Sequence, residues 1–211
     1  MTLAQARNLL DILVDKANNP YFTNNEKDEF LALAISEFIE KYYRVYDINE
    51  QSRAALKGLV HTNSSTTGSS VISVNDNVIF LLSVNVQYWN RNRIAISTMA
   101  RNKSYVKAKQ VSVADFGVTE TDPFNKPSYD NPIYTYVVST TSVPQINILP
   151  ADSIQNKQWY WLERPDIATV FVAIDSPIEE TYQHEIVQIA ARKMIGNIES
   201  SNYEVQSQEA N

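Results

Sequence analysis

The chain of 211 residues contains no cysteine. That excludes disulfides, thiolate nucleophiles and cysteine-ligated zinc. Two histidines and four glycines leave few groups that titrate near neutrality and little material for a phosphate-cradling loop. No apolar run reaches the roughly eighteen residues of a membrane span. The N-terminus lacks a basic region followed by an apolar stretch, so no secretory signal is expected. There is no Gly-x-Ser-x-Gly elbow. His184-Glu185 opens like a zinc-protease helix motif, but Gln188 stands where the second histidine is required. His184 therefore reads as an ordinary half-exposed helix residue. No catalytic, cofactor-binding or metal-ligating set is assigned, and the expectation is a non-enzymatic protein without cofactors.

Charge is present but unevenly placed. The net charge of −6 divides into −3 over residues 1–76, +6 over 77–114 and −9 over 115–211. Opposite charge on different segments allows one copy to complement another. The basic segment contains Arg91, Arg93, Arg101, Lys103, Lys107 and Lys109, with Tyr88, Trp89 and Tyr105 interleaved. It reads either as a solvated hairpin or as a contact surface between chains. A nucleic-acid surface is a further reading, which the acidic balance of the whole chain disfavours. Trp159 and Trp161 share one face of an alternating strand and belong to a core or a subunit interface.

Periodicity predicts helices at both ends. Thr2 with Gln5, and Thr23 with Glu26, are capping boxes that open helices over 3–17 and 24–46. The second is apolar along two adjacent stripes: Phe30, Ala34, Phe38 and Tyr42, then Leu31, Ile35, Ile39 and Tyr46. It must be covered from two sides. Ser176, Pro177 and Glu179 predict the start of a C-terminal helix over 177–198, with Ile178, Tyr182, Ile186, Ile189, Ala190, Met194 and Ile195 on one face. The three helices are expected in one small bundle. A short helix within 49–59 is also possible by pattern.

Between them, residues 61–70 read as a polar linker. From Val71 the chain is rich in β-branched and aromatic residues with frequent turn residues. Strands are predicted at 71–74, 78–89, 93–97, 104–113, 133–138, 145–149, 158–164 and 169–174. With no helical pattern between them, the sheet is expected to be antiparallel. Asp122 to Pro132 is a three-proline connection, expected to be pinned by Phe124, Tyr129 and Tyr134. The fold class is α+β: helices of 1–60 and 176–198 in a bundle, a sandwich- or barrel-like β-rich region over 71–175, and a mobile tail over 199–211.

The words NKPSYDNPIYTYV, INILPAD, WYWLERPDIA and SPIEETYQHEIVQIAARKMIG, in that order after an N-terminal helical pair, carry a resemblance. The chain resembles the head-to-tail connector, or adaptor, proteins of tailed bacteriophages, and most closely those of crAss-like phages. The resemblance covers residues 1–50 and 122–198. It implies a homo-oligomeric, dodecameric ring in the virion neck, made in the host cytoplasm, that contacts the portal and other neck or tail proteins. Genomic DNA would pass through its channel without specific binding, and no membrane is involved. It also implies that the C-terminal tail reaches the portal. An extended tail would lay Tyr203 and Val205, with Glu204 and Gln206 between and beside them, against a partner's groove or sheet edge. The reading from another class is a non-enzymatic β-sandwich binding module of a phage tail or baseplate.

Overall fold

The computed structural model describes residues 1–15, 22–88, 105–124, 126–138 and 143–209. Helices α1 (Leu3–Asp15), α2 (Asn24–Tyr43) and α3 (Glu50–Leu56) lead into a 3-10 turn, Lys57–Leu59. Strands β1 (Val60–Ser65), β2 (Val71–Ser73), β3 (Val78–Tyr88), β4 (Val106–Lys107) and β5 (Lys109–Gln110) follow. Helix α4 (Val113–Thr121) precedes β6 (Ile133–Val137), β7 (Gln145–Leu149) and β8 (Ile154–Glu163). Helices α5 (Ile167–Val170) and α6 (Glu180–Glu209) end the chain. The chain forms two compact units, one of Met1–Leu59 with Arg164–Asn211 and one of Val60–Glu163. The class is α+β, as expected.

In the helical unit, α6 packs on α2, and α1 packs chiefly on α6 with a smaller contact to α2. Both capping boxes form: Thr2 N donates to Gln5 Oε1 at 2.8 Å, and Thr23 N to Glu26 Oε2 at 2.7 Å. Leu31, Ala34, Ile35, Phe38 and Ile39 of α2 are buried, with Leu10 and Val14 of α1 and Ile186, Val187, Ala190 and Met194 of α6. Tyr42 and Tyr182 close an aromatic cluster around Phe38. Ion pairs lie at the margins. Arg7 grips Asp28 through two donors, Lys27 meets Asp11, and Lys41 and Lys193 meet Glu185 and Glu37.

Helix α6 begins at Glu180, not directly after Ser176. Gln183 explains the shift. Its buried amide Nε2 lies 2.9 Å from Val170 O, 2.8 Å from Ser176 Oγ and 3.0 Å from Ile178 O. Ser176 Oγ accepts from Ile178 N at 3.2 Å. The first helical hydrogen bonds are therefore those of Tyr182 N and Gln183 N to Glu179 O. At its other end the α6 backbone stays helical to Glu209, where the sequence reading ended the helix at Ile198 and began a mobile tail.

The β unit is a sandwich of two four-stranded sheets, ordered β1-β8-β3-β4 and β2-β7-β6-β5. Pairing is antiparallel except for β5 beside β6, which is parallel. Ile72, Tyr134, Ile146 and Ile148 from one sheet meet Val84, Val86, Ile154, Trp159 and Trp161 from the other. Two expectations are corrected here. The expected linker 61–70 is strand through Ser65: β1 aligns from Val60 opposite Leu162 to Ser65 opposite Lys157. Residues 169–174 are not a strand: Ile167–Val170 is helical, and only Val170 and Phe171 of the apolar run that follows are buried. The strand expected at 93–97 lies outside the described residues.

Lys157 is 1 % exposed on the same face of β8 as Trp159 and Trp161. Its ammonium donates to the carbonyls of Ser69 and Val71. Burial holds its pKa below the usual lysine value.

Two predictions follow from these packing details. A Cβ on Gly58 would stand 2.0 Å from Pro177 O, a backbone atom that cannot swing away. Gly58→Ala should cost about 2–3 kcal/mol, read as a drop in the urea midpoint. For Lys157, the unfolded chain binds its proton more tightly than the folded one. Stability therefore rises with pH from the depressed folded pKa up to about 10.5. Half-buried Tyr42 (pushed up to about 12) and Tyr88 (also raised) titrate in the opposite sense, so the test is a difference. The stability gap between wild type and Lys157→Met should move in the wild type's favour as pH rises toward 10.5. A gap independent of pH would contradict it.

Candidate interaction surface

The chain switches sheets at Ala108. Val106 and Lys107 belong to β4 beside β3, Lys109 and Gln110 to β5 beside β6. Ala108 is buried and its N–H donates to Val84 O at 2.8 Å. Lys109 N donates to Pro132 O at 2.8 Å and Val111 N to Tyr134 O at 2.9 Å. With Ala108 anchored inward, Lys107 and Lys109, two apart, both face away from the core.

Ser112 then caps α4, accepting from Asp115 N at 3.1 Å and donating to Asp115 Oδ2 at 2.7 Å. None of the nine residues of α4 is buried. Val113 and Val118 are exposed, and Phe124 just beyond is 94 % exposed. Asp115, Thr119 and Asp122 face a cleft of about 630 Å³ whose other walls carry Lys107, Lys109 and Lys126. The two aspartates are occupied locally, Asp115 by Ser112 and Asp122 by Phe124 N at 2.8 Å. Among the described residues none of the three lysines forms an ion pair. The cleft is positive and has an apolar rim.

The three-proline connection is held by one aromatic of its own. Tyr129 Oη donates to Asp152 Oδ2 at 2.7 Å, and its ring lies 5.1 Å from that of Tyr88. Tyr88 Oη donates to Pro150 O at 3.3 Å; burial and the nearby Asp152 raise its pKa. Tyr134 is buried in the sandwich. Phe124, expected to pin the segment, does not.

Of the interface residues taken from sequence, Lys107 and Lys109 stand together in the cleft. Arg91, Arg93, Arg101 and Lys103 lie outside the described residues. Trp159 and Trp161 are core residues, not interface residues: both are buried, stacked 6.5 Å apart, and Trp161 lies 5.8 Å from the His61 ring. Tyr203, Glu204, Val205 and Gln206 lie in helical backbone. The backbone there is helical, not extended as the tail reading expected. Lys126 was missed because it is distant in sequence from the basic run. His184 is exposed on α6. Among the described residues no group of three or more His, Asp or Glu is placed to hold a metal, and no helix is long and apolar enough to cross a membrane.

The contrast between the two aromatics is testable by thermal melting. Tyr129→Ala should cost about 1–2 kcal/mol and Phe124→Ala less than about 0.5 kcal/mol. Equal losses would contradict the assignment of the anchor. No family model and no curated protein matches this chain.

Proposed function

We propose that the chain is a non-enzymatic structural subunit that assembles with copies of itself into the neck ring of a tailed-phage virion, joining portal to tail. The observation that carries this is α4 with its surroundings. A nine-residue helix burying none of its side chains, flanked by an exposed phenylalanine and three lysines that form no ion pair among the described residues, is a surface awaiting a macromolecular partner. The resemblance of residues 1–50 and 122–198 to head-to-tail connectors supplies the kind of assembly. In that role the ring surrounds genomic DNA in transit without gripping it, since strong phosphate contacts would resist ejection. It contacts the portal on one side and other neck or tail proteins on the other.

A second reading, a sandwich binding module of a tail or baseplate, is favoured by the β unit having a core of its own. Native mass measurement of the full chain, alone and with a portal ring, separates the two. The ring reading expects a closed multimer or a stable complex with the portal. A monomer or trimer that retains glycans and ignores the portal would replace it with the module.

A further inference from the structure

We infer that the loop around Ile174 and Asp175 of one copy docks into the lysine cleft of a second copy. The inference rests on the ring reading and names the two faces of its repeating contact.

The loop lies between α5 and α6. Val172, Ala173, Ile174 and Asp175 are all exposed, Ile174 to 75 %. Val172 and Ile174 thus put two β-branched side chains at the exposed tip, beside a carboxylate. The loop is held firmly at its base. Gln183 Nε2 binds Val170 O, Ser176 Oγ and Ile178 O, and Leu3 N donates to Phe171 O at 2.9 Å. Asp175 has φ of 61°, the left-handed region that aspartate tolerates better than β-branched residues. A tip fixed in this way loses little conformational entropy on binding.

Its chemistry complements the cleft. Asp175 and Glu179 form no ion pair among the described residues, whereas Glu180 lies 3.7 Å from the N-terminal amine. The loop thus presents an apolar tip followed by two carboxylates that form no ion pair among the described residues. The cleft sets the exposed Phe124 beside three ammonium groups without ion pairs among the described residues, and these outnumber the carboxylates of Asp115 and Asp122. The two faces differ, so the contact is heterologous. Repeated from copy to copy it closes a ring or extends a fibre. Each charge pair adds little by itself at an exposed rim. Together they set register and exclude the like-charged arrangement of loop on loop.

The experiment uses two charge-reversed full-length chains, Lys109→Glu with Lys126→Glu and Asp175→Lys with Glu179→Lys. All four positions are exposed, and circular dichroism checks that folding is kept. Native mass and sedimentation report assembly. Each variant alone should need at least about tenfold more protein to assemble than wild type. An equimolar mixture should assemble again, because each reversed face then meets its complement on the other variant. Ile174→Ser, which changes no charge, should weaken assembly as well. If either reversed variant assembles like wild type, if the mixture stays dissociated, or if Ile174→Ser has no effect, this contact is wrong while the ring reading stands. If wild type itself stays monomeric at every concentration and with the portal, both fall.

Discussion

Helix α2 carries apolar side chains on two sides, and neither side is stable in water. The chain covers them chiefly with α6, from the far terminus, while α1, α3 and α5 make smaller contacts with α2 and α1 packs mainly on α6. The hydrophobic term provides the energy and is indifferent to register. Register comes from polar groups along the seams. Arg7 with Asp28 and Lys27 with Asp11 align α1, while Glu185, held by Lys41 and by Tyr42 Oη, aligns α6. Tyr42 shows the cost of such a place. Burial first, then the Glu185 carboxylate, pushes its pKa up to about 12.

The β unit solves a different problem. Two sheets close over tryptophans that occupy most of one strand's inner face, and Lys157 continues that face. Lys157, which has no carboxylate partner among the described residues, survives there because the carbonyls of Ser69 and Val71 accept its hydrogen bonds. The positive cleft arises from the same economy of strands. Since β4 and β5 have two residues each, one buried alanine is enough to carry the chain between sheets, and both flanking lysines are left in solvent.

Features set within a few residues were legible in the sequence. The boxes Thr2 to Gln5 and Thr23 to Glu26 are local, and both formed. Strands β3, β6 and β7 have inner faces that a period of two reveals, and their ends fell within one residue of expectation. Strand β1 was illegible because it is exposed on both faces and shows no alternation. Helix α4 was illegible for the same reason: a helix that buries nothing has no apolar stripe, and Ser112 with Asp115 was its sole signal. The run after Ile167 read as a strand from β-branched content, but a buried glutamine thirteen residues beyond Val170 organises it otherwise. Half of the cleft was visible as a charge run through Lys107 and Lys109. Lys126 and the acidic loop were not, since their positions depend on tertiary hydrogen bonds that leave no spacing in the sequence.

Strands β1 and β8 are the first and last of the β unit, and they pair with each other from Val60 opposite Leu162. The chain therefore leaves the helical unit and re-enters it at neighbouring points. The β unit is topologically an insertion whose two ends are already together, so closing the gap it would leave asks for only a short loop. A protein built this way can exchange, enlarge or lose its sandwich while the three-helix frame keeps its own core, and the two parts can diversify at different rates.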